Sequence, residues 1–68
     1  MKKQLELKAE LSRRGWRYRD LAGQLRARGL EIEADDILAI VAGKRQPDEK
    51  LKKITAQILG RPTYELFF

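Results

Sequence analysis

Cysteine and histidine are both absent from this sequence of 68 residues, and serine occurs once, at Ser12. Without cysteine the chain has no disulfide framework and no thiolate metal site. The commonest general base and the most reactive nucleophile are therefore missing, and the five glycines are scattered rather than gathered into a phosphate-binding loop. The sequence predicts a protein that is not an enzyme and that uses no cofactor and no metal.

Long apolar runs are also missing. No segment approaches the roughly 18–20 apolar residues needed to span a bilayer. The first residues, MKKQLELKAEL, lack the apolar core of a signal peptide. We therefore expect a cytoplasmic protein with no membrane partner. The length predicts one domain, residues 1–68, whose small core must rely on tight helix packing or self-association.

Charge is unevenly distributed along this basic chain, which has a net charge of +5 and a pI near 9.9. Residues 1–28 carry nine bases and three acids, a net charge of +6. Residues 29–43 carry four acids and no base, and residues 44–68 carry six bases and three acids, a net charge of +3. Two basic blocks therefore flank an acidic one, and a basic surface favours polyanions through counterion release.

Four segments have the composition and periodicity of helices: 3–14, 17–28, 34–42 and 47–59. Each has apolar residues spaced for one helical face, namely Leu7 and Leu11; Tyr18, Leu21, Ala22 and Leu25; Ile37, Ile40 and Val41; and Leu51, Ile54 and Ile58. Each segment is followed by a glycine, the preferred residue at a helix C-terminus: Gly15, Gly29, Gly43 and Gly60. We expect an all-α domain closed by a turn in which Leu66 and Phe67 pack on the core.

Three residues inside these segments carry further expectations. Pro47 is placed at the first position of the fourth helix, where proline is favoured. Gly23 lies inside the second helix and predicts the close approach of another helix. Trp16 is expected to anchor the first helix against the second.

Three motifs in order resemble the Cro/CI-like helix-turn-helix regulators, also called the XRE family. They are ELSRRGWRYRDLAGQL, ILAIVAGKRQP and ILGRPTYELF, and the resemblance runs from about Leu7 to Phe67. It implies a four- to five-helix lambda-repressor-like helix-turn-helix domain. It also implies a homodimer that binds a short palindromic site on double-stranded DNA, with the third helix in the major groove.

The resemblance assigns DNA-binding positions in three groups. Phosphate contacts fall at the start of the second helix and in the loop after the third, on Arg17, Tyr18, Arg19, Lys44 and Arg45. Base or groove contacts fall on the outward face of the third helix, on Ala34, Asp35, Leu38 and Ala39. Ile32 falls at the apolar turn position that plugs the core.

The chain departs from the family at the connection between the second and third helices. Eleven residues, 26–36, separate Leu25 from Ile37, roughly five more than a turn of about 3–4 residues would leave. The motif can still form if the second helix runs on to Arg28. The layout RRG…Y…DLA…L…G is also similar to that of a set of uncharacterised bacterial helix-turn-helix-like domains.

The acidic block is the second departure, because a carboxylate about 4 Å from a phosphate costs on the order of 1 kcal/mol even in water. We therefore expect Glu31, Glu33, Asp35 and Asp36 to cancel several of the flanking phosphate contacts. Three interpretations remain open. Asp35 accepts a hydrogen bond from a cytosine amino group, the acids suppress non-specific binding, or the helix docks on a basic protein partner. Capping of the third helix is the minimum role of Asp35 and Asp36.

Two functions follow from these observations. The first is a sequence-specific transcriptional regulator that binds DNA. The second is a protein–protein interaction module on the same scaffold, an antirepressor or accessory subunit that uses the acidic third helix. Arg13 and Arg14 are expected to form a solvated basic face. Phe68 is either an exposed dimer contact or a frayed end.

Overall fold

Five α-helices form the chain over residues 3–67, the part described by the computed structural model. They are α1 (Leu5–Arg13), α2 (Tyr18–Ala27), α3 (Ala34–Val41), α4 (Glu49–Leu59) and α5 (Thr63–Leu66). No strand occurs in this part of the chain, which confirms the all-α class. The Cα radius of gyration is 10.5 Å, close to the value of about 11 Å expected for a compact domain of this length.

The four longer helices end in the same way. Each is followed by a glycine with a positive φ, between 67° and 92°: Gly15, Gly29, Gly43 and Gly60. The residue after that glycine donates its backbone N–H to the carbonyl five positions earlier, at 2.9 Å for Trp16 to Leu11, 3.1 Å for Leu30 to Leu25, 2.8 Å for Lys44 to Ala39 and 3.2 Å for Arg61 to Ala56. These bonds satisfy helix carbonyls and confirm the predicted ends.

Aspartates fix three of the helix starts. The Asp20 carboxylate accepts from the backbone N–H of Arg17 at 2.7 Å, and the Asp36 carboxylate accepts from that of Glu33 at 2.8 Å. At α4 the Asp48 carboxylate accepts from the Leu51 N–H at 2.8 Å. The expectation for Pro47 is wrong, because Asp48 is the N-cap of α4 and the proline lies before it. An acceptor side chain at the cap satisfies a free amide, which proline at that point cannot do.

One cluster of hydrophobic side chains forms the core. Its members come from all five helices, from Ile32 in the connection between α2 and α3, and from Phe67 after α5. Leu66 and Phe67 are buried in it as predicted. The expected face of α4 is wrong in part, since Leu51, Thr55 and Leu59 are buried while Ile54 and Ile58 are only half-buried.

One further expectation, for Gly23, changes. A Cβ placed on Gly23 would meet nothing within 4 Å, so this glycine does not admit a neighbouring helix. Trp16 is half-buried against the core, consistent with its predicted anchoring role. Phe68 lies outside the described residues. No helix between residues 3 and 67 is long and apolar enough to cross a membrane.

Arg13 and Arg14 are exposed, as predicted, but they do not form a free basic face. Together with Arg61 they surround Glu10, whose side chain is 11% exposed: Glu10 Oε1 accepts from Arg13 Nη2 at 2.9 Å and from Arg61 Nη1 at 2.8 Å, and Oε2 accepts from Arg14 Nε at 2.9 Å. Arg61 also pairs with Glu6 and Glu65, and Arg14 donates to the Leu59 carbonyl. This cluster joins α1 to α5. Its three arginines are paired with carboxylates and therefore do not contribute to the unpaired positive charge of the surface.

Candidate nucleic-acid interface

Residues 28–33 join α2 to α3, and two contacts hold this connection. Ile32 is 4% exposed and packs in the core, as expected for the apolar turn position. The Arg26 guanidinium reaches back from α2, donating to the Ile32 carbonyl at 3.0 Å and pairing with Glu33 at 3.3 Å. α2 ends at Ala27, so it does not run on through Arg28, which is its C-cap. The connection is longer than the turn of about 3–4 residues usual between two such helices.

The outward face of α3 is small and carries one free carboxylate. Ile37, Ile40 and Val41 are buried, which leaves the other side of the helix outward. On that side Leu38 is 49% exposed and Asp35 is exposed. The remaining predicted contact positions, Ala34 and Ala39, are half-buried. The Asp35 side chain has no ion pair or hydrogen bond within residues 3–67.

Two of the four acids of the acidic block are paired with bases. Glu33 binds Arg26, as described above. Asp36 uses both of its oxygens: Oδ2 accepts from the Glu33 N–H at 2.8 Å, and Oδ1 contacts Arg45 Nη1 at 2.8 Å. The predicted capping role therefore falls to Asp36, whereas Glu31 and Asp35 stay exposed and uncompensated.

The predicted phosphate-binding bases differ in whether their side chains are paired within the protein. Arg17 and Arg19 are exposed at the start of α2, and Lys44 is exposed directly after α3. None of these three side chains makes an ion pair or hydrogen bond to the described residues. Arg45 is instead held by Asp36, although its side chain remains 44% exposed. Tyr18 packs half-buried against the core.

A cleft of about 330 Å³ lies beside the start of α2 and brings in a base that the sequence analysis did not assign. It is lined by Lys8, Leu11, Ser12, Trp16, Arg17 and Tyr18. Lys8 is exposed on α1 and has no ion pair in the described part of the chain. No periodicity or motif marks Lys8, because its proximity to Arg17 arises only when α1 and α2 fold together.

Unpaired charge over the described residues is strongly positive. Eight bases take part in no ion pair: Lys3, Lys8, Arg17, Arg19, Arg28, Lys44, Lys50 and Lys53. Four acids take part in none, and two of these, Asp20 and Asp48, cap helices. Residues 3–67 contain no group of three or more acidic side chains arranged to hold a metal ion.

Comparisons of the chain with protein-family models, with curated proteins and with solved structures find no match in any of the three. The chemistry and positions of these side chains are therefore the basis for assigning a function.

Proposed function

We propose that the protein is a small sequence-specific transcriptional regulator of the Cro/CI-like helix-turn-helix type, with α3 in the major groove of double-stranded DNA. In this proposal it acts as a homodimer on a palindromic site. The observation that carries the proposal is the distribution of free charge: unpaired bases lie at the start of α2 and after α3, whereas half of the acids of α3 and its connection are neutralised internally.

Arg17, Arg19 and Lys44 supply the phosphate contacts. Each is exposed and free of internal partners, so a phosphate meets no competing ion pair. Each contact releases a counterion, which is the main source of affinity for a protein of this kind. Tyr18 completes the group at the start of α2. Lys8, which lines the same cleft as Arg17, adds to the same positive field.

The outward face of α3 supplies the groove contacts. Ala34 and Ala39 are small enough to let the helix lie close to the base edges. Leu38 offers an apolar surface suited to a thymine methyl group, and Asp35 is a hydrogen-bond acceptor suited to a cytosine amino group. The face therefore favours particular bases through few contacts, and the flanking bases fix its position on the duplex.

The remaining acids do not outweigh the bases. Glu31 and Asp35 each cost about 1 kcal/mol if a phosphate comes within about 4 Å. Three unpaired bases on each protomer, Arg17, Arg19 and Lys44, raise the affinity for DNA. In this arrangement the acids lower binding to every sequence, and correct base contacts restore affinity at the target site.

A salt titration of duplex binding tests the proposal. With about three phosphate contacts on each protomer, the affinity of the dimer should fall about 10³-fold between about 50 and 200 mM salt. Lys44→Ala should weaken binding to all duplexes and reduce the slope of log K against log salt by about 0.9 for each protomer. Lys53→Ala is the matched control, since Lys53 is also exposed and unpaired but lies on α4.

Two results would contradict the proposal. One is the absence of duplex binding at low salt. The other is an equal loss of slope in Lys44→Ala and Lys53→Ala, which would indicate a diffuse positive charge rather than a defined set of contacts.

A second candidate function is supported by Leu38. An aliphatic side chain 49% exposed beside the free carboxylate of Asp35 is also suited to a basic protein partner with an apolar anchor. Such a partner would make the chain an antirepressor or accessory subunit. In that case Asp35→Ala abolishes partner binding and raises affinity for DNA, whereas a base-reading Asp35 loses sequence preference when it is replaced.

A further inference from the structure

Lys44 and Arg45, the two bases directly after α3, differ in their ion pairing. Lys44 is exposed and has no partner in residues 3–67, whereas the guanidinium of Arg45 contacts Asp36 Oδ1 at 2.8 Å. The backbone does not cause this difference, since the N–H groups of both residues point to the Ala39 carbonyl, at 2.8 and 3.3 Å. The difference therefore lies in the Asp36 side chain.

The surroundings of Arg45 are acidic on more than one side. Arg45 lines a small cleft of about 50 Å³ together with Glu31 and Asp48. Glu31 comes from the connection between α2 and α3, and Asp48 is the N-cap of α4. Arg45 thus lies among three carboxylates from three parts of the chain, and Asp36 is the one within ion-pair distance.

We propose that Asp36 withholds Arg45 from polyanions by occupying its guanidinium as an internal substitute for a phosphate. This inference rests on the proposed function, in which that polyanion is duplex DNA. The Asp36 carboxylate contacts one guanidinium nitrogen, Nη1, and offsets the charge of Arg45, so an approaching phosphate competes with it for the guanidinium. The pair therefore lowers binding to any anionic surface and leaves the first encounter to Arg17, Arg19 and Lys44.

Asp36→Asn separates this effect from helix capping. The side-chain oxygen of asparagine can still accept from the Glu33 N–H, so the start of α3 keeps its hydrogen bond. The charge that holds Arg45 is removed. Asp35→Asn is the matched control, because it removes the same charge from the same helical turn at a residue with no partner in the described chain.

The experiment measures affinity for a duplex of random sequence and elution from a heparin column for the wild type, Asp35→Asn and Asp36→Asn, because neither measurement depends on the base contact proposed for Asp35. Both variants should bind more tightly than the wild type because each loses a carboxylate. Asp36→Asn should gain a further factor of about two to five over Asp35→Asn, the range set by the strength of an exposed ion pair. In an Arg45→Ala background this further gain should disappear.

Equal gains in the two variants, or a further gain that survives in Arg45→Ala, would overturn the inference while leaving the DNA-binding proposal intact. If neither the wild type nor its variants bind duplex DNA, the proposed function fails. Elution from heparin then still tests whether Asp36 withholds Arg45. Asp36→Ser, which also keeps a capping oxygen, replaces Asp36→Asn if circular dichroism shows that the latter does not fold.

Discussion

Replacing Glu10 by glutamine should destabilise the domain more than replacing any other acidic residue on its surface. Three arginines donate to this carboxylate, at 2.8 to 2.9 Å, and its side chain is only 11% exposed. Hydrogen bonds to a charged group contribute about 1.5–3 kcal/mol each. The three do not add, because each arginine keeps another acceptor: Glu6, Glu65 or the Leu59 carbonyl.

We therefore expect Glu10→Gln to lower the free energy of unfolding by about 2 kcal/mol, which for a domain of this size lowers Tm by about 8–16 °C. Thermal unfolding followed by circular dichroism measures the change. Glu49→Gln is the control, since its ion pair with Lys52 lies on an exposed side chain and should be worth less than about 1 kcal/mol. Equal Tm values for Glu10→Gln and Glu49→Gln would refute the reasoning.

The same cluster predicts a pH dependence. Hydrogen bonds from Arg13, Arg61 and Arg14 lower the pKa of Glu10 to about 2, from an ordinary value of 4.5. A carboxyl whose pKa is lower in the folded state stabilises the fold fully above its unfolded pKa, and this contribution is lost as the pH falls through the folded pKa. The Tm difference between wild type and Glu10→Gln should therefore be constant above about pH 4.5 and shrink toward about pH 2. A difference that stays constant down to about pH 2 would contradict the assignment.

Three further substitutions test the backbone and the core by thermal unfolding. Gly23→Ala should raise stability by about 1 kcal/mol, because alanine favours a helix interior and nothing obstructs its Cβ. Gly29→Ala meets equally open space but has a φ of +92°, so it should lower stability by about 1–2 kcal/mol; equal signs for the two would contradict this account. Thr55→Val should raise stability by about 1 kcal/mol, since the Thr55 hydroxyl is buried without a hydrogen-bond partner in the described structure, and a lower Tm would show that this hydroxyl has a partner.

Features determined by neighbouring residues could be predicted from the sequence. The glycines after α1, α2, α3 and α4 have positive φ because a helix that ends in this way needs that conformation within a few residues. Such signals depend on the chain within one turn of the residue concerned, so the sequence alone contains them.

Features determined by tertiary packing could not be predicted. Arg61 meets Glu6 and Glu10 from the far end of the chain, and no spacing rule relates such distant positions. The buried face of α4 shows the same limit. The sequence favours Ile54 and Ile58 by hydrophobicity, but the helix turns the line of Leu51, Thr55 and Leu59 inward. Burial of a threonine in place of an isoleucine is decided by how neighbouring helices fit, not by the periodicity of α4.

Two acids of the acidic block stabilise α3, a role that the sequence alone does not indicate. α3 has eight residues, which is too short to be stable alone. Glu33 ties its start to Arg26 of α2, and Asp36 ties its first turn to Arg45 beyond its last. Both ends of the helix are thus fixed by charges that face away from Ile37 and Ile40 in the core.

This fixing competes with anion binding, because Arg45 cannot hold Asp36 and a phosphate with the same strength at once. Asp36→Asn should therefore raise affinity for a polyanion and lower Tm by a few degrees, since an exposed ion pair contributes about 0.2–1 kcal/mol to stability. Asp35→Asn should raise affinity less and leave Tm nearly unchanged. Opposite changes in affinity and stability at Asp36 alone would show that one ion pair serves both the short helix and the control of Arg45.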